Sequence, residues 1–135
     1  MANTLYDAAR QRFLEAQINW MTDTVKVLLV DTGAYTPQTA VHQYLSDISG
    51  SARIAGPVTL TSKTTTGGAA DAADVTFTSV TGPSIEAIVI YIDTGTESTS
   101  PLVAFIDTAT GLPITPNGGD IIVTWDNGVN KIFKV

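Results

Sequence analysis

Three apolar stretches of this chain end in Asp-Thr, and each is followed within three residues by a glycine. The aspartates are Asp31, Asp93 and Asp107. Two carboxylates within hydrogen-bond reach can share one proton and activate a water between them, which is the chemistry that hydrolyses a peptide bond. One hypothesis is therefore that Asp31 and Asp93 form a hydrolytic pair. The other is that each aspartate ends a strand and holds the turn that follows.

Residues 27–34 resemble the active-site strand and turn of the aspartic proteases, and residues 93–97 resemble them less. In a chain of 135 residues, the resemblance implies one motif per copy and a dimer, as in the retroviral members. No convincing glycine-rich flap hairpin separates the two motifs. The third phrase, at Asp107, fits turn chemistry instead, because Asp and Thr oxygens accept backbone N–H groups just past a strand. We therefore prefer the turn hypothesis and predict no catalytic residue and no enzyme.

The sequence contains few residues that could bind a metal ion or a cofactor. His42 is the only histidine, so it cannot build a zinc site alone, and we expect an ordinary surface or half-buried residue. Asp71 and Asp74 flank a loop with glycines, but their spacing matches no EF-hand, so a solvated acidic loop is the preferred interpretation. The absence of cysteine excludes disulfides and cysteine nucleophiles. We predict no metal and no cofactor.

The amino-acid composition argues against certain classes of binding partner. A net charge of −6 and scattered basic residues argue against binding nucleic acid through its phosphates. No apolar run approaches the length that spans a bilayer, so no membrane partner is expected. The N-terminus has neither the basic region nor the apolar stretch of a signal peptide. An apolar content of 44% predicts one domain over 1–135 with its own core.

The first part of the chain predicts helices around one strand. Residues 1–20 read as an amphipathic helix, capped by Thr4 with Asp7. Its apolar face is formed by residues at helical spacing: Leu5, Ala9, Phe13, Ala16 and Trp20. The body from 24 to 135 begins with a strand over 24–30, and a short helix is predicted at about 37–47.

The rest of the chain predicts strands and turns. The candidate strands are 53–62, 73–79, 84–92, 102–107, 120–126 and 130–135. Residues 85–92 are apolar on both faces except for Glu86, as expected for a strand at the centre of the core. The last two strands read as a hairpin closed by residues 126–128. The predicted fold class is mainly β: a single-domain antiparallel β-sandwich, jelly-roll-like, with an N-terminal amphipathic helix and one short helix.

Three segments carry a second resemblance. Residues 1–10, 26–32 and above all 113–128 resemble small structural proteins encoded among the virion genes of tailed bacteriophages. The resemblance implies a non-enzymatic virion component made in the host cytoplasm. Within that class, we expect a capsid decoration (cement) protein on the capsid surface. It would bind the major capsid protein or other virion proteins as a homo-oligomer, a dimer or trimer.

The N-terminal helix is the expected partner surface. Leu5, Tyr6, Phe13 and Trp20 are the candidate contact residues, on a segment that could lie on a neighbouring subunit. An equally weighted alternative is that the helix covers its own sandwich. Two other functions stay open: a tail or neck component (tube, terminator or fibre base), and a small aspartic protease using Asp31 and Asp93.

Overall fold

Five antiparallel strands form the central sheet of the computed structural model, which describes residues 4–107, 112–125 and 131–134. Numbered along the chain, they are β1 (Thr4–Leu5), β2 (Val25–Val30), β3 (Arg53–Thr59), β6 (Ala87–Ile92) and β7 (Leu102–Ile106). Across the sheet the order is β1-β7-β6-β2-β3. Two ribbons accompany it, β4 (Ala69–Ala70) with β9 (Phe133–Lys134) and β5 (Val75–Phe77) with β8 (Ile121–Val123). The mainly β, antiparallel fold class is confirmed.

The middle of the sheet is buried on both faces. Successive residues of a strand point to opposite faces, and all six residues of β6 are buried. Strand β2 pairs with β6 from Val25 opposite Ile92 to Val30 opposite Ala87. β-Branched residues make up half of β2 and four of the six residues of β6, and their side chains pack well on a pleated surface. The prediction of a central strand that is apolar after Glu86 is confirmed.

The two ribbons contribute to the same core. Ala70 of β4 and Phe77 of β5 belong to the cluster of buried residues that also contains the central strands. The predicted terminal hairpin is wrong among the described residues, because β8 pairs with β5 and β9 pairs with β4. Pairing with β5 joins β8 to a strand whose alternate residues are already buried. The predicted turn at 126–128 lies outside the described residues.

The N-terminal helix is shorter than the predicted 1–20. Helix α1 runs over Asp7–Leu14, and Thr4 and Leu5 before it form β1, with Leu5 opposite Ala104 of β7. The helix begins after Tyr6 with no side-chain cap, so the predicted Thr4 cap is wrong. Pairing with the sheet removes Thr4 from the helix, because a residue in extended conformation cannot also continue the helical ladder.

The second predicted helix, at about 37–47, is also wrong as an α-helix. The N–H groups of Val41 and His42 bond to the carbonyl of Gln38 in a turn. Beyond it, Leu45 donates to Ser100 and the carbonyl of Gln43 accepts from Leu102 at 2.9 Å each, which ties the segment beside β7. Those bonds compete with helix formation. Among the described residues, the remaining helical elements are single 3₁₀ turns: Leu45–Asp47, Gly50–Ala52, Thr66–Gly68 and Glu97–Thr99.

Candidate functional site

Asp31 forms the turn after β2. Its Oδ1 accepts the N–H of Gly33 at 2.8 Å, and its own N–H donates to the carbonyl of Ala52 at 2.9 Å. A carboxylate that accepts the N–H two residues on is an Asx turn, which is the chemistry expected of Asp in this position. The turn role predicted for Asp31 is therefore observed directly.

Asp93 makes the same bond after β6. Its Oδ1 accepts the N–H of Gly95 at 2.9 Å, and its Oδ2 lies 2.9 Å from Nζ of Lys26. The hydrogen bond from Lys26 and then the Gly95 N–H lower the pKa of the Asp93 carboxyl below its ordinary value. The carboxylate is thus held ionised by a cation and a backbone donor.

These two carboxylates cannot share a proton within one chain. Asp31 follows Val30 and Asp93 follows Ile92, at opposite ends of the antiparallel pair formed by β2 and β6. At about 3.3 Å per residue, the strand length separates the two aspartates by roughly 20 Å. Asp107 follows β7 at the Asp31 end of the sheet, with β6 between them. The turn after Asp107 lies outside the described residues.

The actual carboxylate neighbour of Asp31 is Glu86. Glu86 Oε1 accepts both the N–H and the hydroxyl of Thr32, at 2.9 and 3.1 Å, and Oε2 accepts the hydroxyl of Ser84. Burial works to raise the pKa of Glu86, but hydrogen bonds donated by Ser84 and Thr32, together with a hydrogen bond shared with the Asp31 carboxyl group, outweigh it and the pKa is lowered. The carboxyl groups of Asp31 and Glu86 thus lie within hydrogen-bond reach of each other, and Glu86 also accepts donors from the Asp31 turn and from Ser84.

Sequence reasoning missed this pair. It joined Asp31 to Asp93 because both share the Asp-Thr-Gly phrase. The signal that finds Glu86 is register: an antiparallel partner strand with Val30 opposite Ala87 places residue 86 beside residue 31. Glu86 is also the only charged residue in the apolar run 85–92.

His42 is half-buried, as expected, and it ends a chain of hydroxyl groups. Its Nδ1 lies 3.0 Å from the Tyr35 hydroxyl, which lies 2.8 Å from the Tyr6 hydroxyl. Burial first, and then Tyr35, raise the pKa of Tyr6. The network gives the buried Tyr6 hydroxyl a polar partner, as a buried polar group requires.

The predicted partner residues lie mostly in the chain's own core. Leu5, Tyr6 and Trp20 are 7%, 0% and 4% exposed. Phe13 is half-buried, with its ring centroid 6.0 Å from that of Phe133. This placement matches the alternative in which the segment covers its own sheet. A partner reaches Leu5, Tyr6 or Trp20 only if the segment leaves the core.

An apolar cleft of about 280 Å³ lies at the end of α1. The rings of Phe13, Trp20 and Phe133 line it, and Trp20 meets Phe133 edge-on at 5.3 Å. The Trp20 Nε1 donates to the carbonyl of Asp71 at 3.2 Å, so the one indole donor is already used. The cleft therefore offers apolar surface rather than a polar binding group.

Asp71 and Asp74 act through neighbouring backbone. Asp71 exchanges backbone hydrogen bonds of 3.0 Å with Thr64, and Asp74 Oδ1 accepts the N–H of Trp125 at 3.0 Å. Across the residues that the structure describes, no group of three or more His, Asp or Glu side chains is placed to hold a metal ion. These aspartates hold loops together in this structure.

No protein-family model matches this chain, and no curated protein matches it significantly. Within the described part of the chain, no helix has the length and apolar character needed to cross a membrane. The function is therefore inferred from the chain's own residues.

Proposed function

We propose that the protein is a non-enzymatic structural protein of a tailed-bacteriophage virion that decorates the capsid by binding the major capsid protein. The observation that carries the non-enzymatic part is the placement of Asp31 and Asp93 at opposite ends of two paired strands, each holding its own turn. Support for the virion part comes from the resemblance of residues 1–10, 26–32 and 113–128 to small phage structural proteins.

The physical task of such a protein is adhesion between neighbouring capsomers. A β-rich body with a net charge of −6 and a sheet whose central strand β6 is buried on both faces is suited to rigid bridging. Its binding would rest on many equivalent contacts rather than one strong site. Seating of a dimer or trimer on a repeating shell raises the effective concentration of the second contact, so weak single contacts give durable attachment.

Copy number per particle tests this proposal. Virions that contain the protein are purified, and its amount is measured against the major capsid protein by quantitative mass spectrometry. We expect on the order of hundreds of copies, as a shell lattice requires. About six or twelve copies would instead assign the protein to the neck or tail. Absence from purified virions would overturn the virion proposal.

Acid-pH peptide cleavage tests the rival hydrolytic function. A retroviral-type enzyme would use Asp31 from each of two copies, so Asp31→Asn would abolish cleavage while Asp93→Asn would not. We expect both variants to behave like the wild-type protein in this assay, because we expect none of the three proteins to cleave the peptide library. We expect Asp31→Asn to change thermal stability only. Cleavage that disappears in Asp31→Asn alone would refute the non-enzymatic assignment.

A further inference from the structure

We infer that the N-terminal segment 4–14 exchanges between two copies of this chain, so that β1 and α1 of one copy occupy the site on β7 of the other. The segment supplies buried side chains, Leu5, Tyr6 and Ala9, to a core built by later parts of the chain. An identical segment from a second copy makes the same contacts. The closed monomer and the exchanged dimer therefore differ mainly at the hinge that follows α1.

That hinge has a strained turn in the closed form. Gln17 donates to the carbonyl of Arg12 at 2.8 Å and Ala16 donates to that of Phe13 at 3.2 Å, which is the Schellman pattern at a helix C-terminus. The pattern needs a left-handed residue at the position after the C-cap, usually glycine. Here that residue is Ala16, with φ of 59°. An extended hinge would release Ala16 from a conformation that disfavours a side chain.

An exposed apolar side chain stands at the same hinge. Leu14, the last residue of α1, is 87% exposed and is the most exposed large apolar residue among those described. In an exchanged dimer the two hinges pass each other near the two-fold axis, so Leu14 of each copy lies at the new contact between copies. Exchange thus relieves strain at Ala16 and covers Leu14.

The attachment of the segment is suited to release. Within the described residues, β1 is an edge strand of two residues, paired to β7 through Thr4 opposite Phe105 and Leu5 opposite Ala104. Further backbone bonds join Tyr6 to Val103 at 3.0 Å and Asp7 to Thr39 at 2.9 Å. Few ladder bonds must break for the segment to open. Association of two copies costs entropy, so exchange is favoured at about millimolar local concentration rather than in dilute solution.

Mixing two single-cysteine variants tests exchange directly. The chain has no cysteine, so every disulfide arises from the engineered positions. Leu5 and Ala104 are register partners, and directly opposite residues lie about 4.5–5.5 Å apart between Cα atoms, within disulfide range. Leu5→Cys and Ala104→Cys chains are refolded together at about 1 mM and oxidised. We expect a heterodimer linked from residue 5 to residue 104, identified by mass spectrometry of the linked peptides.

A mismatched mixture is the control. Leu5→Cys with Ile122→Cys places the second thiol on an exposed position of β8, 65% exposed and not paired with β1. This mixture reports collisional cross-linking alone. A 5–104 link between copies that does not exceed the control level would overturn the inference.

Hinge variants give a second measurement that needs no buried substitution. Ala16→Gly should raise the equilibrium constant for the closed turn by about fivefold per hinge, and Ala16→Val should lower it by about the same factor. Because a dimer contains two hinges, we expect the dimerisation constant from sedimentation to fall about 25-fold in Ala16→Gly. Leu14→Ser should also weaken the dimer while leaving the monomer folded. A dimer constant that is unchanged in all three variants, or no dimer at 1 mM in Ala16→Val, would overturn the inference.

Discussion

The turns after Asp31 and Asp93 begin with the same three residue types and share one bond. In each, the aspartate Oδ1 accepts the N–H of the glycine two residues on, at 2.8 and 2.9 Å. Beyond that bond they differ. Gly95 has φ of 89°, whereas Gly33 does not adopt a positive φ. The shared phrase therefore specifies one local hydrogen bond and leaves the shape of the turn open.

The surroundings of each turn determine the rest. At the Asp31 turn, Thr32 donates its N–H and its hydroxyl to Glu86, which arrives from the neighbouring strand. At the Asp93 turn, Thr94 donates its N–H to the hydroxyl of Ser100 at 3.1 Å, and that hydroxyl donates to the carbonyl of Thr96 at 2.8 Å. The Asp31 turn is thus stabilised by the half-exposed carboxylate of Glu86, and the Asp93 turn by the fully buried hydroxyl of Ser100. The difference teaches that identical phrases are stabilised by partners at different sequence distances, since Glu86 lies 54 residues from Thr32 and Ser100 lies six residues from Thr94.

The largest expected loss of stability comes from a substitution at Ser100, which supports the Asp93 turn. This side chain is 1% exposed, so Ser100→Ala removes a buried hydroxyl that accepts the N–H of Thr94 and donates to the carbonyl of Thr96, although that carbonyl keeps the N–H of Thr99. We expect a loss of about 2 kcal/mol in the free energy of unfolding, measured by urea denaturation. Glu86→Ala, the matched change at the Asp31 turn, should cost about 1 kcal/mol because water can replace the half-exposed carboxylate. Equal losses would contradict the contrast.

A smaller effect separates the two glycines. Gly95→Ala places a side chain at φ of 89°, and we expect it to cost about 1 kcal/mol in unfolding free energy. At Gly33 the added Cβ would lie 3.0 Å from Asp31 Oδ1, a contact that a small side-chain shift relieves. Gly33→Ala should therefore cost about 0.5 kcal/mol or less. Thermal melts of the two variants check the order, and a larger loss at Gly33 would refute it.

The smallest effect concerns acid and salt. The pKa values of Asp93 and Glu86 are both lowered in the folded protein, Asp93 by Lys26 and Gly95, Glu86 by Ser84 and Thr32 against the effect of burial. A lowered folded pKa gives stability above the unfolded pKa of about 4, and this stability is lost as the pH falls through the folded value. Asp93→Asn should thus cost under about 1 kcal/mol at pH 7 and less at pH 2.

Salt distinguishes the two carboxylates. The partner of Asp93 includes a cation, whereas the hydroxyl and amide donors around Glu86 are uncharged. We expect about 1 M NaCl to reduce the cost of Asp93→Asn by about half and to leave the cost of Glu86→Gln nearly unchanged. Lys26→Gln should remove the salt effect at Asp93. A salt effect of the same size at both positions would count against this assignment of partners.

Much of the sheet could be predicted from apolar runs. The strands at 24–30, 84–92 and 102–107 appear in the structure as β2, β6 and β7, each shorter by one to three residues. Their β-branched residues favour extended backbone, and burial on both faces explains why their apolar character is continuous. The bond made by Asp31 was also predictable, since donor and acceptor lie two residues apart.

Other features depended on contacts that no local pattern contains. Residues 4 and 5 fit a helix by spacing, but pairing with β7 took them into the sheet. The short helix predicted at about 37–47 was replaced by bonds to the chain beside β7, and β8 paired with β5 rather than with β9. The burial of Leu5, Tyr6 and Trp20 within the chain is a similar case, because an apolar helical face does not specify which core covers it.

The sequence by itself determined which segments are apolar strands and that each Asp-Thr-Gly phrase holds its own turn, because those choices depend on neighbours a few residues apart. Only the tertiary structure decided that Asp31 faces Glu86, that Asp93 lies roughly 20 Å away, and that the N-terminal segment is buried against β7. Strand register places residues far apart in sequence side by side, and burial of the whole core selects that register.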